Sequence, residues 1–161
     1  MGFMRSFSRS VKAVKCLNYT SGTADRTTGV IDTAGYGGLA FVVDLAAVAA
    51  NAVTNIYVAH ADAASDTNTL TSGANVATTS QTIDDTDDNQ TFIVDLKPTK
   101  RYYQLTVNKD GSNACAESVV AYLYNPAEKP VTQGGGNTSV VGDGHAAVNY
   151  EFVGVATSGT I

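Results

Sequence analysis

Four aspartates, Asp84, Asp85, Asp87 and Asp88, fall within five consecutive positions. Carboxylates spaced this closely are the hard oxygen ligands that calcium takes. The cluster has neither the glycine nor the distal glutamate of an EF-hand loop, and Asn89 closes it as a turn. We read it as a loop kept soluble by charge, holding no metal. His60 and His145 are the only histidines, and neither stands in HExxH or another zinc-ligand spacing. "HAD" at 60–62 places His60 and Asp62 on one face of a strand, which alternation produces without any chemistry. Cys16 and Cys115 lack CxxC spacing and are too few for a disulfide framework, so the expectation is two buried, unpaired thiols. No GxSxG, P-loop or Rossmann glycine pattern occurs, and "GYGG" at 35–38 lacks the spacing of a phosphate cradle. Two acids on facing strands could still hydrolyse a glycoside, but without Trp the aromatic platform would fall to tyrosines. Tyr102, Tyr103, Tyr122 and Tyr124 are expected at a sheet face or a subunit interface. The reading is a protein with no catalytic residues, no cofactor and no metal.

Composition narrows the class. A chain of 161 residues fits one domain with a real core. Its Ala, Val, Thr, Gly and Asn, with eight Tyr and few charges, favour strands and turns. The net charge of -5 opposes nucleic-acid binding, which needs a basic face. Arg5, Arg9, Lys12 and Lys15 all precede the first acid, Asp25, making the amino end a locally cationic arm. "MGFMRS" fits a myristoylation pattern at Gly2 and Ser6, and Asn18, Asn89 and Asn137 begin glycosylation patterns; nothing else in the chain supports either. With no apolar run of signal-peptide or membrane-spanning length, the expectation is a protein made in a cytoplasm.

The elements that would carry these residues read as short strands. Val11 to Tyr19 alternates with both faces partly apolar, "VIDT" is a short strand, and "AGYGG" turns into a strand with Leu39, Phe41, Val43 and Leu45 on one face. "LAAVAANAV" predicts one helical turn or a loop, and 53–62 returns to β. From 63 to 82 strands are weak, near Thr69 and near 76–83. Phe92, Val94 and Leu96, then "KPTK", then Tyr103, Leu105 and Val107 predict a β-hairpin. After the turn "NKDGSN", residues 116–125 close the core. The fold class is all-β: a two-layer antiparallel β-sandwich, jelly-roll-like. Residues 1–10 form a basic arm, 11–127 the core and 128–161 a Gly-rich extended arm. Within that arm "NYEFVGV" at 149–155 is strand-like and is expected to gain order by pairing with its own body or a neighbouring chain. Arg5, Arg9, Lys12, Tyr150, Phe152 and Val155 are the candidate partner-binding residues.

Over roughly residues 11–125 the order of features, "VIDTAGYGGLAFVVDL", "VAHADAAS", "FIVDL" with "KRYYQLTV", and "SVVAYLYNPAEKP", resembles the head decoration, or cement, proteins of tailed bacteriophages. The resemblance implies a β-sandwich, often trimeric, that binds the outside of an assembled capsid, clamps neighbouring major capsid subunits and has no active site. The Ala-rich 46–52 and the glycine-rich tail depart from that pattern. A phage tail, receptor-binding or carbohydrate-binding sandwich is the alternative, with the tyrosines and the acidic turn as its site.

Overall fold

A computed structural model describes residue 7, residues 10–63, 74–78 and 83–128, and residue 131, with 74–78 described by backbone alone. Arg5, Arg9, His145, Tyr150, Phe152 and Val155, and with them most of both arms, lie outside the described residues. Among the described residues nine strands follow in chain order: β1 (Lys12–Gly22), β2 (Arg26–Thr27), β3 (Ile31–Asp32), β4 (Tyr36–Val48), β5 (Val53–Ala61), β6 (Ala74–Thr78), β7 (Thr91–Leu96), β8 (Tyr102–Lys109) and β9 (Cys115–Pro126).

The strands form two antiparallel sheets. One runs β1-β9-β4-β7; the other runs β2-β8-β5-β6, with β3 also on β8. Counting β2 and β3 as one interrupted strand, this is the order of a jelly roll. It arises because the chain is a doubled ribbon wrapped around a core: β5 pairs β6, β4 pairs β7, β2 and β3 pair β8, and β1 pairs β9. The partners stay mirrored about the β5–β6 connection throughout, as in Tyr57 with Thr78, Leu39 with Leu96, Ile31 with Tyr103 and Lys12 with Leu123.

Period-two alternation supplies the core. Leu39, Phe41, Val43 and Leu45 of β4 and Val119, Ala121 and Leu123 of β9 face Ile56, Val58, Tyr103, Leu105 and Val107 of the other sheet, all buried. Two expectations need correction. The Ala-rich stretch carries no helical turn, and the loop alternative holds only for 49–52: β4 continues to Val48, shifting register between Leu45 and Val48, and the chain then reverses at Asn51 with φ 58°. Alanine's helix preference yields here to burial of Leu45 and Val48 against β9. The predicted hairpin is also not one. β7 lies in the β1-β9-β4-β7 sheet and β8 in the other, so "KPTK" crosses between layers. β8 is buried over most of its length while β7 is half-exposed, as befits a central and an edge strand.

Candidate functional site

The outward side of the β1-β9-β4-β7 sheet carries an apolar patch. Register places Val42 beside Val120 and Ile93, and Lys15 beyond Val120. The neighbouring row is Ala13, Tyr122, Ala40 and Asp95. Ile93 is 66% exposed, while Val42, Val120, Ala40 and Tyr122 are half-buried. Phe7, itself 55% exposed, sets its ring edge-on to Tyr122 at 5.8 Å between centroids, a favourable aromatic geometry. A turn in which Val11 N donates to Phe7 O at 2.8 Å fixes that placement. Phe7 is thus held against this face by an aromatic contact.

At one margin of the face, Tyr124 Oη donates to Asp95 Oδ1 at 2.5 Å. That bond holds the phenol proton and pushes the Tyr124 pKa up, with burial adding to it. Tyr124 lies over Gly38, where a Cβ would collide with its ring; β4 therefore uses glycine for close approach. Tyr103 behaves differently from its neighbours. Its side chain is in the core, and its hydroxyl accepts from Thr99 N at 2.7 Å and Lys100 N at 3.2 Å, pinning the crossover. Tyr102 carries the Arg101 guanidinium 5.1 Å from its ring centroid. Of the four tyrosines, Tyr122 and Tyr124 are on the outward face.

Lys12 lies opposite inward-facing Leu123, away from the outward face, and its charge contributes to the lowered pKa of Asp32. The main cause there is the Arg101 guanidinium, whose Nε and Nη2 donate to Asp32 at 3.0 and 2.8 Å. Among the described residues Lys15 is the amino-terminal cation on the outward side. Asp62 pairs with Lys100, and His60 meets the Tyr103 ring edge-on at 5.7 Å; the two make no joint site with each other.

The acidic run forms a single 3-10 turn over Asp85–Asp87. Asp84 caps it by accepting from Thr86 N at 2.9 Å and Thr86 Oγ1 at 2.7 Å, which lowers the Asp84 pKa. Asp87 completes a capping box, and Asp88 accepts from Val48 N at 2.6 Å. Three of the four carboxylates are therefore engaged by the backbone. Among the described residues no three His, Cys, Asp or Glu side chains gather as a metal site.

One cluster had not been anticipated. Glu117, fully buried on β9, has Arg26 Nη1 at 3.0 Å from Oε1 and Lys109 Nζ at 2.8 Å from Oε2. Lys109 Nζ also donates to Gly22 O at 2.9 Å and Cys115 O at 3.0 Å, and Arg26 Nη2 donates to Asn18 O at 2.9 Å. Arg26 and Lys109 belong to one sheet and Glu117 to the other, so the ion cluster ties the layers at one end. Parity carried the only clue: Glu117 shares the inward phase of Val119, Ala121 and Leu123, and Lys109 that of Leu105 and Val107.

Fold and face together define a jelly-roll β-sandwich presenting an apolar sheet surface with Phe7 set edge-on to Tyr122. No protein-family model matches the chain, and a search of the curated proteins returns no match.

Proposed function

We propose that the chain is a structural, non-catalytic virion component of the head-decoration class, binding the outer surface of an assembled tailed-phage capsid and clamping neighbouring major capsid subunits, with a homotrimer as its assembly. The observation that carries the reading is the outward sheet face of Phe7, Tyr122, Val120, Val42 and Ile93. An apolar patch continuous across the three strands β9, β4 and β7 has the character of a protein-binding surface. The cationic arm that leads to Phe7 would reach acidic groups on the partner, and repetition over a symmetric shell multiplies a modest contact. The sequence resemblance to decoration proteins supplies the identity of that partner.

Heads assembled without this protein provide the test. Wild-type chain should co-pellet with them, while Val42→Asp and Val120→Asp, which place a carboxylate in the middle of the face, should bind at least tenfold more weakly. Both variants leave the inward core untouched, so their melting temperatures should stay close to wild type. Equal binding by all three proteins would remove the face from the interface. Binding to glycans of the host surface, with none to heads, would instead support a receptor-binding module.

A further inference from the structure

We propose that the free edge of β7 is a docking site for the chain's own segment Asn149–Val155, which adds to the sheet as a fifth, antiparallel strand. The other sheet edges carry features that discourage strand addition. β1 bears Lys12 and Lys15 and shifts register twice, between Lys15 and Leu17 and between Leu17 and Thr20. β2 and β3 are two residues each, and β6 shifts against β5 between Val58 and Ala59. β7 has no such device. Thr91–Leu96 pairs with Asp44–Leu39 without a shift, contains no Lys or Pro, and has its one charge, Asp95, engaged by Tyr124. Phe92, Val94 and Leu96 pack on the core yet remain only partly buried, and Ile93 is exposed on the other side. Among the described residues no strand pairs with β7 on the side away from β4. The edge thus offers apolar side chains on both faces and a row of backbone groups between them.

Geometry and sequence single out the occupant. β9 leaves the sheet at Pro126, paired with Tyr36, and Ala127 N donates to Gly35 O at 2.8 Å. β7 finishes at Leu96, paired with Leu39, so the chain leaves β9 at the end of the sheet where β7 stops. A segment entering the slot from that end runs antiparallel to β7, the sense of every other pair in the fold. The slot lies three strand spacings from β9, about 15 Å, whereas residues 132–148 extended at ~3.3 Å each reach about 56 Å. In "NYEFVGV" one side carries Tyr150 and Phe152 and the other Glu151, Val153 and Val155. Glu151 must face solvent, which puts Tyr150 and Phe152 on the inner side beside Phe92, Val94 and Leu96, and Val153 beside Ile93. Being tethered, the segment competes at a high effective concentration against any second copy. This docking stands apart from the head-binding reading, since it concerns the free chain.

Hydrogen exchange on the full-length protein tests it, comparing wild type with Val153→Pro and, as a second variant, Phe152→Asp. In wild type the β7 amides that point away from β4 should exchange at least tenfold more slowly than in either variant, with β4 and β8 amides unchanged. Equal β7 exchange in all three proteins would overturn the proposal. The source of the strand is read by oxidising Ile93→Cys/Val153→Cys chains, isotopically heavy and light, mixed at low concentration. Cross-links confined to single chains are expected; heavy–light dimers would assign the slot to a second copy and overturn docking of the chain's own segment.

Discussion

Burial governs the chemistry of the two thiols. Loss of solvation pushes the Cys16 pKa up to about 12, and Cys115 goes to about 11, first by burial and then by the Glu117 charge beside it. Both thiols are free, and at pH 8 both should be inert to an aromatic disulfide reagent in the native chain, with two equivalents reacting once guanidinium unfolds it. The linked stability has a definite sign. An acid whose folded pKa is raised favours the fold fully below the unfolded thiol value of about 8.5 and loses that contribution as pH climbs toward the folded values. The melting temperature should therefore fall above about pH 9, and Cys16→Ala should blunt the fall. Asp32 has the opposite sign: Arg101 depresses its pKa, so its contribution is present above the ordinary carboxylate range and lost as acid protonates it. Glu117 is the most sensitive ion. Glu117→Gln strands Lys109 in the interior and should cost about 3–5 kcal/mol in urea unfolding, whereas replacing Glu117 and Lys109 together by Leu and Met should recover much of that loss. If the single and double variants melted alike, the cluster would not be coupled.

At the level of elements, the close approach of β4 and β9 makes Gly38 the position to probe. Gly38→Ala should displace the Tyr124 ring, destabilise by about 1–3 kcal/mol and break the bond to Asp95. Spectrophotometric titration should then show the raised Tyr124 pKa returning toward the ordinary phenol value; retention of the shift would mean the ring had not moved. The strands themselves were largely legible, because Leu39, Phe41, Val43 and Leu45 announce a buried face by alternation alone. Pairing was not. Phe92–Leu96 and Tyr103–Val107 look like hairpin arms because alternation specifies which face is buried but not which strand lies alongside. The difference lay in their depth, since β8 tolerates burial of Gln104 and Thr106 as well as its apolar residues. The apolar outward face was hidden for a related reason: Val42, Val120, Tyr122 and Ile93 come from three strands distant in sequence, and only register brings them together. Glu117 and Lys109 escaped notice because charged residues at inward phase read as exceptions until a partner is seen.

For the molecule as a whole, the outward face and the β7 edge make separate demands. The first requires a partner and the second only the chain itself, so Val120→Asp should weaken head binding while leaving β7 amide exchange unchanged. The mirrored ribbon has a further consequence, in time. The β5–β6 pair closes the shortest loop, whereas Lys12 must find Leu123 across most of the chain, and loop-closure entropy is lost before distant contacts repay it. Refolding should be slow for the size, on the order of milliseconds to seconds. Val58→Ala, at the ribbon's fold, should slow refolding, while Val14→Ala, at its open end, should chiefly speed unfolding. A chain synthesised from its amino end holds β1 to β5 without their partners until β6 to β9 emerge, so the apolar strands of the first half stand exposed for longest during synthesis, and there misassociation between nascent chains competes with folding.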